Sequence, residues 1–203
     1  SSPSYIRLIV QDMDSTSSSR IPGTAIWEHT LYKGGEIVAR FKDFIDSKSA
    51  IYTRMVECLK PFAINIHIEE SDRITLHHTS SLLLYKGRGL PFYGDYNHPY
   101  EQFQNICSTG NSELNQVEPD LFSLSFKPGK SELYCIGGAS FQECDENSRL
   151  ALTATAPFLL ERTKKYWENY TNRRKAFEKL IPESFPMRRK VLDQIDNVAI
   201  ILK

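Results

Sequence analysis

The chain has 203 residues, with 25 basic and 25 acidic side chains, 40% hydrophobic and 11% aromatic content. That composition excludes a disordered polymer, and a formal net charge of zero excludes a general attraction to nucleic acid. No apolar run approaches the roughly 20 residues of a membrane-spanning helix, and no basic-then-apolar leader opens the chain; lacking an initial Met, it reads as a fragment of something longer.

Along the chain, Ser4 to Val10 alternates as a strand does, and Ser15 to Ser19 reads as a serine-rich spacer. Thr24 to Tyr32 and Glu36 to Ile45 have strand composition on either side of a Lys33-Gly34-Gly35 turn, which predicts a hairpin. Ala50 to Leu59 fits either strand or helix. Phe62, Ile64, Ile66 and Ile68 alternate with Ala63, Asn65 and His67, the strongest strand signal present. Arg73 to His78 and Leu82 to Tyr85 are predicted strands, residues 86–100 a loop, and Tyr100 to Cys107 a short helix.

Gly110 to Pro119 is polar and rich in turn formers, and predicts a boundary between one unit at 1–110 and another at 111–203. Further strands are predicted at Leu121 to Phe126, Ser131 to Ile136, Ala139 to Cys144 and Arg149 to Ala154, with turns at Lys127-Pro128-Gly129-Lys130 and Gly137-Gly138. From Pro157, which suits the first turn of a helix, the period changes. Leu160, Thr163, Trp167, Tyr170, Arg174, Phe177 and Ile181 recur at spacings of three and four, predicting a long amphipathic helix ended by Pro182; a second helix is predicted from Met187 to Asn197. The expected class is α+β, with antiparallel sheets packed against helices.

Recognisable catalytic chemistry is sparse. Cys58, Cys107, Cys135 and Cys144 form no CxxC pair and read as reduced apolar residues, although Cys135 and Cys144 could face each other across the Gly-Gly turn. His67 and His77 could lie on paired strands, yet no carboxylate recurs at ligand spacing, so no metal is expected. Gly87-Arg88-Gly89 lacks the third glycine of a phosphate loop and precedes Leu90-Pro91, so no cofactor is expected either. The sequence predicts a non-catalytic binding module. An α+β enzyme with scattered acids, or a nucleic-acid-binding domain, are the alternatives.

Charge is segregated along the sequence. Residues 65–156 hold 6 basic and 12 acidic side chains, whereas residues 157–190 hold 10 basic and 4 acidic ones. The cations Lys164, Lys165, Arg173, Arg174, Lys175 and Lys179 lie on the predicted helix, followed by Arg188, Arg189 and Lys190. Such density predicts a groove for an acidic peptide, with Arg173, Arg174 and Lys175 facing solvent. The helix aromatics fall on its apolar side and so offer no stacking platform for single strands.

Three segments carry a family resemblance. Glu36-Ile37-Val38-Ala39-Arg40-Phe41 follows a Gly-Gly turn; Ile74-Thr75-Leu76-His77-His78 precedes Gly87-Arg88-Gly89-Leu90-Pro91; and Lys165-Tyr166-Trp167-Glu168-Asn169-Tyr170 opens towards Phe177 and Leu180. These blocks resemble the cryptic polo box of centriole-duplication Polo-like kinases of the SAK group, in a divergent, nematode-like form. In familiar members the KYW helix follows the GRGFP turn closely, whereas here 73 residues intervene. Chain length assigns the helix to the second unit; otherwise the first unit carries a large insertion. The resemblance implies two tandem polo-box-like units, each an antiparallel sheet packed on a helix, and homodimerisation. It also implies recruitment to the centrosome or centriole through an acidic segment of a scaffold protein, with kinase activity in a separate serine/threonine kinase domain. On this basis Lys86 and Arg88 join the helix cations as partner-binding candidates.

Overall fold

A computed structural model describes residues 5–69, 71, 73–77, 81–86 and 102–179. The predicted α+β class is what the described residues form: a strongly curled antiparallel sheet and a C-terminal helix. The elements are β1 Tyr5–Val10, β2 Ser15–Arg20, β3 Trp27–Lys33, β4 Glu36–Ile45, β5 Ile51–Cys58, β6 Phe62–Glu69, β7 Arg73–His77, β8 Ser81–Lys86, β9 Gln102–Glu118, β10 Leu121–Gly138 and α1 Phe141–Glu178. Their order is β2-β3-β4-β5-β10-β9-β8-β7, with β6 also on β10 and β1 outside β6.

The predicted hairpin forms as β3 and β4. Gly34 and Gly35 both have positive φ (58° and 77°), as the tight two-residue turn requires, and the Gly34 N–H donates to the Asp14 carboxylate. The alternation of β6 also holds: Phe62, Ile64, Ile66 and Ile68 are buried, and Ala63, Asn65 and His67 are half-buried. Residues 51–58 resolve as a strand.

Five expectations change. Ser15 to Ser19 is no spacer but a strand at the edge of the described sheet, exposed at every position and, among the described residues, paired only to β3. Residues 102–107, predicted helical, are the start of β9, and residues 110–118, predicted as a connection, are its second half. The two predicted strands at 121–126 and 131–136 are one strand, β10, irregular between Phe126 and Ser131. Residues 141–144 and 149–154, which belong to two predicted strands, are helical. There Ser140 Oγ accepts the Glu143 N–H at 3.1 Å and the Glu143 carboxylate accepts the Ala139 N–H at 2.8 Å, so a capping arrangement starts α1.

β10 organises the sheet because β5 and β6 lie end to end along one side of it, Ile51–Cys58 against 129–136 and Phe62–His67 against 121–126. Between them the chain passes from β5 to β6 at 59–61, and the irregularity in register with β9 between Phe126 and Ser131 bends β10. β9 follows the bend through Gly110, where a Cβ would sit 2.4 Å from the Lys130 carbonyl oxygen. The curl encloses one apolar core, in which Phe62 stacks on Phe126 at 4.8 Å and lies 5.7 Å from Phe41. The outer face carries a second core, Phe44, Ile51, Cys107, Tyr134 and Ile136, covered by Cys144, Ala151, Ala156, Leu159 and Leu160 of α1.

The helix is broken at Thr155, whose φ of 61° and ψ of 153° are not helical, so α1 has two arms. Pro157 falls in the first turn of the second arm, as the sequence predicts. Leu160, Thr163 and Trp167 are buried and Tyr170 and Arg174 half-buried, along the predicted stripe. The side chain of Phe177, Ile181, Pro182 and the helix predicted at 187–197 lie outside the described residues.

A β-branched residue at positive φ is strained by roughly 1–3 kcal/mol. Thr155→Gly should therefore raise stability by about 1 kcal/mol after the entropic cost of glycine. The expected reading is a higher urea midpoint with an unchanged slope; an unchanged or lower midpoint would show that Thr155 is not strained.

Candidate functional site

The described cations of α1 ring the helix instead of forming one stripe, since consecutive residues are about 100° apart. Lys165, Arg173, Lys175 and Lys179 are exposed. Lys164 is half-buried and bonds Glu161 at 2.6 Å; Arg173 Nε donates to the Asn169 carbonyl at 3.4 Å. Arg174 does not face solvent as expected. It lies on the Trp167 side, half-buried, and pairs with Glu178 at 3.2 Å. The side chain of Lys86, and Arg88, Arg188, Arg189 and Lys190 entirely, lie outside the described residues, as does the GRGLP block.

Besides the packing of Ala156, Leu159 and Leu160, an ion pair ties the second arm to the sheet. Arg162 donates from Nε to Asp46 Oδ1 at 2.9 Å and from Nη2 to Oδ2 at 2.5 Å, across 116 residues of sequence. The Asp46 side chain is fully buried, and its Oδ2 also accepts the Lys48 N–H at 3.0 Å and the Ser49 hydroxyl at 2.6 Å. Burial alone would raise its pKa; the Arg162, Ser49 and Lys48 donors outweigh burial and hold the carboxyl below its ordinary value.

Beside this pair, the turn after β4 and the second arm of α1 enclose a cavity of about 470 Å³. Phe158, 55% exposed, and Tyr166 give it an aromatic wall, and Lys48 and Lys165 flank it. Arg162 also lines it, with its guanidinium 5.7 Å from the Phe158 ring centre. Arg162 is balanced by Asp46, and Glu161, the one carboxylate among the described residues of the lining, by Lys164. Lys48 and Lys165 have no ion-pair partner among the described residues, which leaves the groove basic. Lys165 alone of its residues is legible in the sequence as a cation of interest; Lys48 is an isolated lysine 117 positions away and gives no signal.

A second polar cluster, also illegible in the sequence, lies on the inner face of the sheet. Arg54 grips Asp43 with two bonds, at 2.9 and 2.6 Å, and the Tyr52 hydroxyl donates to the same carboxylate at 2.8 Å. Strand pairing adds Ser18 Oγ at 2.7 Å from His29 Nδ1, with His29 Nε2 3.4 Å from Asp43 Oδ2. The order serine, histidine, aspartate suggests nucleophile activation. However, the Asp43 carboxylate is already engaged by two Arg54 bonds and the Tyr52 hydroxyl, and His29 Nε2 stands 3.4 Å from it. Arg54 also stacks 4.6 Å above Phe41, which marks the cluster as a structural plug at the end of the inner core.

The thiols lack nucleophilic character at neutral pH. Burial pushes Cys107 and Cys135 up to about 12, Cys144 up to about 11, and raises Cys58 as well. Cys135 belongs with the inner core and Cys144 with the outer one, so they do not face each other. β6 pairs with β1 and β10, and β7 with β8, so His67 and His77 are not on paired strands. Among the described residues no group of three potential ligands could hold a metal, and no helix is long and apolar enough to cross a membrane.

Asp46→Asn leaves the Arg162 guanidinium without its carboxylate and should cost about 3 kcal/mol at neutral pH. Because the folded carboxyl is held below its ordinary value of 3.8, its stabilisation is complete well above that pH. It is lost as pH falls through the lowered value. The gap between wild type and Asp46→Asn should therefore narrow in acid, measured by urea unfolding at several pH values. A gap independent of pH would show that the pair does not hold the helix arm.

No family model matches the chain, and no curated protein matches its sequence.

Proposed function

We propose that the chain is a non-catalytic targeting and assembly module that binds an acidic segment of a partner protein. The observation that carries this is the groove between the turn after β4 and α1, where Lys48 and Lys165 flank an aromatic wall of Phe158 and Tyr166. An acidic peptide with one aromatic or aliphatic side chain meets both demands: its apolar group covers Phe158, and its carboxylates meet the two lysines. Arg173, Lys175 and Lys179 extend the basic surface along the helix for flanking acids. Arg188, Arg189, Lys190, Lys86 and Arg88 remain in the proposal from sequence alone.

The finer parts of the proposal rest on the polo-box resemblance. They are a centrosomal or centriolar address, service to a separate serine/threonine kinase domain, and two tandem units at 1–110 and 111–203. Residue 110 lies within β9, and Ile51–Cys58 pairs with 129–136, so two such units would share one sheet. Failure of the labelled chain to accumulate at centrosomes would remove the address. Homodimerisation is supported by β2, a polar strand that among the described residues pairs only with β3 and so offers its other edge to a second copy. A monomer by sedimentation across the micromolar range would remove self-association without touching the groove.

The groove is tested with a labelled Asp/Glu-rich peptide carrying one Phe, added to the full chain. Lys48→Glu with Lys165→Glu should weaken binding by about tenfold or more, and rising salt should weaken it in the wild type. Both side chains are exposed, so unfolding curves should be unchanged. Undiminished binding by the double variant would place the site elsewhere. Tighter binding of a single-stranded oligonucleotide at matched salt would make nucleic acid the better ligand.

A further inference from the structure

Given the acidic-peptide reading of the groove, on which this inference rests, we propose that the partner segment binds there in extended form. It is held by two apolar side chains four residues apart, with acidic residues between them. The described residues that α1 gives to the lining are Phe158, Glu161, Arg162, Lys165, Tyr166 and Asn169. Their spacings of three and four put them on one face of the arm. At roughly 1.5 Å per residue they form a wall about 16 Å long. The turn after β4, with Ser47 and Lys48, forms the facing wall.

Two magnitudes select an extended occupant. A cavity of about 470 Å³ spread along that wall has a mean cross-section of about 30 Å². An α-helix with its side chains is about 10–12 Å across, a cross-section of roughly 80–110 Å², so it would rest on the rim instead of filling the groove. An extended backbone, for which neighbouring strands stand only about 4.8 Å apart, fits inside.

The positions along the wall set the register. Tyr166 lies eight residues beyond Phe158, about 12 Å along the helix axis. Four residues of extended chain advance about 13 Å, and residues at even spacing project to the same side. Side chains i and i+4 of the partner therefore meet the two aromatic rings together, whereas i and i+2 advance only about 7 Å. The intervening positions i+1 and i+3 project the other way, towards the turn that carries Lys48. Lys165, seven residues beyond Phe158 and about 10 Å along the arm, is level with i+3. The Arg162 guanidinium between them is committed to Asp46, so the partner's acids are met by the two exposed lysines.

The test is fluorescence anisotropy of labelled peptides with the full chain at one salt concentration. The peptides share one composition, with two Phe and several Glu in a Ser background, and differ in placing the two Phe at i+2, i+4 or i+7. The i, i+4 peptide is expected to bind about tenfold more tightly than the other two, since it alone covers both rings. Pro at i+2, which suits extended chain and breaks a helix, should leave that affinity nearly unchanged. Phe158→Ala should remove the advantage of two Phe over one, and with an exposed side chain it should leave unfolding curves as in the wild type. A preference for the i, i+7 peptide, with binding lost on introducing Pro, would show a helical partner and overturn the inference. Equal affinities across the set, all weakened by Lys48→Glu with Lys165→Glu, would overturn the register and leave the acidic groove standing. Peptides indifferent to that double variant would remove the groove itself, and the register with it.

Discussion

A fully buried carboxylate, Asp46, can exist at the edge of this sheet only because four donors meet it, two of them from Arg162 on a helix 116 residues away. The same pair, with Ala156, Leu159 and Leu160 packed on the outer core, places the second arm of α1. With Arg162 fixed, Trp167 is set further along the arm, and the proposed groove lies between the arm and the turn after β4. The groove is formed by neither the sheet nor the helix alone.

The sheet prepares the anchorage by bending. β5 and β6 run end to end along β10, and the connection at 59–61 with the β10 irregularity between Phe126 and Ser131 lets one strand serve two layers. Inside the bend the aromatic contacts of Phe41, Phe62 and Phe126 form one core, while the outer face receives α1. At the end of the inner core Asp43 and Arg54 close it with a satisfied ion pair; at the corner of the outer one Asp46 and Arg162 do the same. Two acids three residues apart, Asp43 and Asp46, thus cap the two cores from one stretch of chain.

What the sequence revealed was local. The alternation of β6, the Gly34-Gly35 turn and the helix start at Pro157 each depend on a few adjacent residues, and each appears where expected. The first arm of α1 opens on Ser140 followed by Glu143, a helix-start pattern, but the Leu and Ala residues beyond it suit strands as well as helices. β2 gave no signal because an edge strand exposed on both faces has no reason to alternate. The basic run at 173–175 was legible as charge but not as surface. Successive residues point about 100° apart, so Arg174 turned inward beside Trp167 while its neighbours stayed out. The groove was the least legible feature, since Lys48 joins Lys165 only through a tertiary ion pair between two ordinary charged residues.

The central claim is that the anchored helix arm and the turn after β4 together form the recognition groove. The most direct measurement is a titration of the isotopically labelled chain with the acidic, Phe-containing peptide, followed by amide and side-chain NMR. Saturable shifts clustered on Ser47, Lys48, Phe158, Lys165 and Tyr166, and lost in Asp46→Asn, are expected from the geometry. Shifts that cluster on another surface, or that persist unchanged when Asp46 is replaced, would contradict it.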